Sequence, residues 1–203
     1  MEELNLDNLQ LIDFNQPLLR KKPELFDFEK YNAQEICDAL FEKQNEFGGI
    51  GLSANQVGLD MKIFVFGDGE KLKRYVINPE LIDCSTETNV AREGCLSLPG
   101  IFLNITRPAE ATFKYQDVEG KECIEKYVDL AARVALHEYD HMLGFNYTMR
   151  ASRLKLDRAL KAYNKKAKAN KRVVEQVAKL PPEVLKLLEE QEQQDNQQEQ
   201  ANG

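Results

Sequence analysis

"ALHEYDHMLG", residues 135–144, holds both histidines of a 203-residue chain. His137 and His141 stand four apart, with Glu138 and Asp140 between them. On an α-helix, positions i and i+4 lie one above the other, so two imidazoles there can converge on one ion. The Glu after the first His then projects within reach of a water on that ion. From Asp129 to about Met142 the period is helical, with Leu130, Val134, His137 and His141 on one stripe. Two histidines satisfied inside an ordinary core helix would show the same spacing. A metal reading therefore needs a third ligand, because catalytic zinc-type sites normally carry three protein ligands and one open position.

Downstream of His141 there is no further His, and Asp157 is the only acid before Glu175. Asp157 sits among Lys and Arg, where a charged surface neighbour is the simpler explanation. A zincin-like peptidase, which would take its third ligand from this side, stays open as the competing reading. Upstream, "AREGCLSLPGI" (91–101) sets Cys95 beside Gly94, so a thiolate can be presented with little obstruction; thiolates bind Fe(II) and Zn(II) strongly. The other cysteines, Cys37, Cys84 and Cys123, read as small buried hydrophobes with free thiols in a reducing compartment. "GGIGLSANQVG" (48–58) permits close backbone approach to a ligand and ends on the neutral amide of Gln56. It matches neither a phosphate-loop nor a dinucleotide fingerprint, and alone it reads as a turn into the next strand.

The rest of the chain bounds the answer. At 42% hydrophobic residues it suits one core, no apolar run is long enough to span a bilayer, and the acidic N-terminus lacks a secretory n-region. The net charge of −7 is uneven: residues 150–173 carry ten Lys or Arg against Asp157 alone, and the chain ends acidic and Gln-rich. Such a basic arm is either a contact for an anionic surface or a solvated helix face. Residues 31–47 read as an amphipathic helix stopped by glycines, 61–69 and 73–79 as short strands, and 109–128 as a hairpin around Asp117-Val118-Glu119-Gly120. A long helix is expected from about Ser152 to Ala178, a short one from Pro182, and disorder at the end. The expected organisation is α+β: a catalytic metallohydrolase domain over 1–149, a basic helix over 150–180, and an acidic, mostly disordered tail over 181–203.

Three ordered motifs together resemble the peptide deformylase family. They are Gly49-Ile50-Gly51-Leu52-Ser53-Ala54-Asn55-Gln56, Glu93-Gly94-Cys95-Leu96-Ser97 and His137-Glu138-Tyr139-Asp140-His141. "QPLLR" (16–20), Arg107 and the Leu-Ala-Ala-Arg-Val run before His137 look like family features too, and the resemblance spans roughly residues 8–165. Ser53, Leu136 and Met142 depart from the usual Ala, Gln and Leu, and none is a proposed ligand.

The resemblance implies small mixed or antiparallel sheets around a central metal-binding helix, with a long C-terminal helix. It implies Cys95, His137 and His141 as ligands of one divalent metal, Fe(II) first and Zn(II), Ni(II) or Co(II) as substitutes, with water in the fourth position. The implied reaction removes the N-formyl group from the initiator methionine of nascent polypeptides. Glu138 serves as general base and acid, and Gln56 with the Leu96 N–H forms the oxyanion hole. Ile50, Gly51 and Gly94 pair with the peptide backbone, while Val134 either walls the methionine pocket or belongs to the core. Asp140 either orients a ligand or pairs with Arg107. The partner implied is the N-formylmethionyl peptide; separately, the ten basic residues of 150–173 suggest contact with ribosomal RNA, with a solvated helix face as the alternative. A cytoplasmic monomer without DNA or membrane contact completes the expectation, and an inert family member that binds without turnover is the further alternative.

Overall fold

The computed structural model describes residues 4–177. Two compact units divide the chain, Met1–Asp157 and Arg158–Gly203. In the first, α1 (Ala33–Glu46) begins at Asn32, whose side chain accepts the Gln34 and Glu35 backbone N–H groups. It buries Ile36, Cys37, Leu40 and Phe41, one stripe of the helix. Seven strands follow: β1 (Gly51–Ser53), β2 (Ile63–Gly67), β3 (Lys73–Cys84), β4 (Thr88–Cys95), β5 (Leu98–Pro108), β6 (Glu110–Gln116) and β7 (Glu122–Val128). The helix α2 (Asp129–Met142) comes next, and α3 (Arg153–Val177) contains the division between the units.

Five strands form one sheet in the order β1-β2-β3-β6-β7, and β4 and β5 form a separate pair. Every pairing is antiparallel. β2 shows why the large sheet is covered on both faces. Ile63 and Val65 join the cluster around α1 with Leu40, Phe41 and Leu52. Phe64 and Phe66 point the opposite way, into the cluster around α2 with Phe113, Ala132, Ala135 and Leu136. A strand buried on both faces needs an uninterrupted apolar run, and "IFVFG" is one. Each such side chain contributes about 1.5–3 kcal/mol of burial.

The α+β expectation holds, with differences in detail. β3 runs to Cys84, beyond the expected residue 79. β4 and β5, which the sequence reading left unassigned, pair from Thr88↔Pro108 to Cys95↔Leu98. β5 alternates buried Ile101, Leu103, Ile105 and Arg107 with more exposed residues, but Pro99 and Gly100 obscure its start. Leu130 does not share the buried stripe of α2: it is 64% exposed, and the core face is Ala132, Ala135, Leu136 and Met142. Cys84 and Cys123 are half-buried, whereas Cys37 is fully buried. The second expected long helix is α3; the expected restart at Pro182 and the tail lie outside the described residues. Among the described residues no helix is long and apolar enough to cross a membrane.

Candidate metal centre and cleft

Cys95 ends β4, and His137 and His141 occupy successive turns of α2. The ligand atoms of these three residues lie within 4.8 Å of one another. Cys95 Sγ is 3.5 Å from His141 Nε2. Two donors bound tetrahedrally at the usual ligand distances of about 2.0–2.3 Å would be separated by about that much. His137 Nδ1 lies 3.2 Å from the Glu93 carboxylate, so its Nε2 is the nitrogen free to bind. Burial opposes a thiolate at Cys95, but His141 and His137 outweigh it and hold the thiol well below its ordinary range. Burial likewise opposes charge on His137, yet its bonds to Cys95 and Glu93 raise it to about 10. A thiolate and two imidazoles at this spacing suit a soft or borderline divalent ion.

Glu138 is 3% exposed, and its Oε2 has no hydrogen-bond partner among the described residues. Burial pushes its carboxyl up to about 7, the range of a group that takes and returns a proton at neutral pH. An unpaired buried carboxylate oxygen beside a Cys/His/His cluster is the chemistry that a bound ion with a water ligand would satisfy.

Gln56 lies in the short 3-10 turn Ala54–Val57 after β1. Its Oε1 accepts from Ser53 N–H at 3.0 Å and Ser53 Oγ at 2.9 Å, which fixes the amide. Its Nε2 therefore donates toward Ser97 Oγ at 3.0 Å and Cys95 Sγ at 3.4 Å. Next to it, the Asn55 Nδ2 donates to the His141 carbonyl at 3.0 Å, tying this turn to the metal helix. Gly51 has a steric reason to be glycine. A Cβ there would fall 2.6 Å from Glu138 Oε1 and 2.9 Å from Val134 Cγ1.

A cleft of about 590 Å³ opens over this cluster, lined by Ile50, Gly51, Gln56, Gly94, Cys95, Leu96, Val134, His137 and Glu138 among others. Every sequence-derived candidate except the buried His141 borders it. Of the charged network beneath, the sequence reading had only an Arg107–Asp140 pairing as one alternative, without Glu93, Arg133 or Arg150. Arg107, 1% exposed, donates from Nε and Nη2 to both Glu93 oxygens at 2.8 Å and from Nη1 to Asp140 Oδ2 at 2.9 Å. Arg133 also donates to Glu93, and Arg150 closes on Asp140. Of the two roles left open for Asp140, the geometry therefore has the Arg107 pairing. Glu93 links that network to His137, and its carboxyl is held down to about 2. Burial opposes the charge, but the bonds from His137 and Arg107 overcome that. Its place one residue before Gly94-Cys95 was the available signal.

A family model described as polypeptide deformylase matches residues 8–157. The chain belongs to the peptide deformylase family. It is 42% identical over 128 residues to a peptide deformylase of Pseudothermotoga lettingae, spanning 63% of this chain and 74% of that one. The peptide deformylase of Bartonella tribocorum is 34% identical over 164 residues, covering 78% and 92% of the two chains. The crystal structure of the Thermotoga maritima peptide deformylase superposes with a TM-score of 0.67 at 36% identity, over 71% of this chain and 97% of that one. The enzyme class expected from the three motifs is thus the class these relatives carry, and the Cys95–His137–His141 grouping is a candidate metal site of a metalloenzyme family.

Proposed function

We propose that this peptide deformylase family member hydrolyses the N-formyl group of the initiator methionine, releasing formate and a free α-amine. The observation that carries this reading is the buried Glu138 carboxylate, its Oε2 unpaired among the described residues, beside a thiolate and two imidazoles within 4.8 Å of one another. Cys95, His137 and His141 would hold one divalent ion, Fe(II) by preference, with Zn(II), Ni(II) or Co(II) able to take its place. Such an ion, when bound, polarises a carbonyl and acidifies a water. Glu138 accepts the proton that this water loses and returns one to the departing amine nitrogen, so no net proton is consumed by the residue. Gln56 Nε2, oriented by Ser53, and the Leu96 N–H donate to the formyl oxygen as negative charge gathers on it. Ile50, Gly51 and Gly94 offer backbone to an extended peptide, which suits substrates that share only their first residue. Val134, 8% exposed and facing the cleft, walls the methionine side chain.

A zincin-like peptidase fits less well. Among the described residues the metal-sized grouping takes its third member from Cys95 and not from the segment after His141. The basic residues of 150–173, with Lys155, Arg158, Lys161, Lys165, Lys166 and Lys168 exposed, would meet ribosomal RNA where formylated chains emerge, and the enzyme would act there as a cytoplasmic monomer. The deciding assay is formate release from formyl-Met-Ala-Ser with anaerobic Fe(II). The Glu138→Ala protein should keep its metal and lose at least about 10²-fold in kcat. A Cys95→Ser protein that retained both metal and activity would overturn the assignment.

A further inference from the structure

The rim of the cleft carries a feature that the chemistry at its base does not use. Six charged or titratable groups line the cleft: Arg92, Glu93, Cys95, Arg133, His137 and Glu138, of which Cys95 is a member of the ligand cluster. Glu93 and Arg133 pair with each other, His137 belongs to the ligand cluster, and Glu138 to the reacting end. Arg92 is left over. It is exposed on β4 and has no carboxylate partner among the described residues.

Its position is nevertheless defined. The Arg92 guanidinium carbon lies 4.3 Å from the centre of the Phe102 ring. That ring, 49% exposed on β5, in turn lies over Gly94, where a Cβ would come within 2.8 Å of it. Arg92, Phe102 and Gly94 therefore form one stack on one face of the β4–β5 pair. A guanidinium held over an aromatic ring by cation–π attraction keeps N–H donors available at its edge, which suits a carboxylate.

We propose that this stack makes Arg92 a specificity-determining residue: it selects formyl-methionyl peptides with an acidic side chain at the second or third residue. The inference rests on the deformylase reading above, because that reading sets a peptide along the β4 edge at Gly94. Arg92 precedes Cys95 by three residues, about 10 Å along an extended strand, and its guanidinium sits over the Phe102 ring that covers Gly94. A peptide held at its first residue beside Cys95 brings its next two side chains past Phe102. The unpaired positive charge there attracts Asp or Glu and repels Lys or Arg.

The experiment compares formyl-Met-Asp-Ala-Ser and formyl-Met-Ala-Asp-Ser with their Asn and Lys counterparts. For an exposed charge pair the expected gain is about two- to fivefold per step, Asp over Asn and Asn over Lys, expressed in KM at low salt. It should shrink in about 0.5 M salt. Arg92→Gln should flatten the series and Arg92→Glu should invert it. A ratio of one in the native protein, or a ranking unchanged in Arg92→Glu, overturns the proposal. The same series is measured as Kd by anisotropy of labelled peptides on a Glu138→Gln protein, which needs no turnover. If no formyl peptide releases formate, the deformylase reading fails on its own, and the binding ranks still decide the role of Arg92.

Discussion

Replacing Arg107 by alanine would remove the centre of the buried charge network and leave two carboxylates short of a partner. Arg107 is 1% exposed and makes three bonds to the carboxylates of Glu93 and Asp140, with a fourth to the Leu136 carbonyl at 3.2 Å. Breaking a buried pair by deleting one partner costs about 3–5 kcal/mol. Glu93 keeps Arg133 and His137, which lowers its share, but Asp140 keeps only Arg150, whose side chain is 42% exposed. We therefore expect Arg107→Ala to cost about 4 kcal/mol, the middle of that range. With a urea dependence of about 2 kcal/mol per molar, the unfolding midpoint falls by roughly 2 M. Urea titration followed by circular dichroism reads this directly. Arg107→Lys restores the charge without the two-pronged geometry and should recover less than half of the loss. The metal should also bind more weakly, because Glu93 is then free to swing away from His137. An Arg107→Ala protein within about 1 kcal/mol of the native one would refute the view that this network holds α2 to the β4–β5 pair.

Three further outcomes follow from the geometry. Gly51→Ala places a Cβ against Glu138 Oε1 and Val134, so kcat/KM should fall by about 100-fold with the far-ultraviolet spectrum unchanged; a loss under threefold would show that Glu138 can move aside. Cys37 is fully buried, and burial pushes its thiol up to about 12, so a thiol reagent at pH 8 should label the half-buried Cys84 and Cys123 and reach Cys37 only on unfolding. Mass spectrometry that found Cys37 labelled in the native protein at the same rate would contradict its burial on the inner face of α1. Burial opposes charge on Glu125, but Arg74, Tyr115 and Tyr127 outweigh it and hold its carboxyl below the ordinary range. Because its folded pKa is depressed, its contribution is complete above the unfolded value of about 4.3 and disappears as pH falls through the folded one. The midpoint difference between native and Glu125→Gln proteins should therefore narrow from pH 6 to pH 3, and a difference that widened on acidification would reverse the sign.

Much of the framework can be read from local pattern, because periodicity reports how one element buries its own faces. The stripe Ile36, Leu40 and Phe41 marked α1, the apolar run at Ile63–Gly67 marked β2, and the hairpin over 109–128 is the β6–β7 pair. The i, i+4 spacing of His137 and His141, with Glu138 between, carried its chemistry on a single helix. For the same reason the third member of the cluster needed more than pattern: Cys95 lies 42 residues upstream of His137, on strand β4 and not on the helix, and only the tertiary fold brings it to α2.

What tertiary structure decided is which faces meet. Leu130 shares the helical stripe and the cleft of Val134, yet it is 64% exposed where Val134 is buried. The sequence offered an Arg107–Asp140 pairing as one alternative but did not show that Glu93 joins them, since an isolated charge is excluded from a protein interior. All three are buried here because each arrives from a different element with its counter-charge already in place. Periodicity along one strand or helix carries no record of such a meeting, whereas the histidine spacing needed only the turn of its own helix.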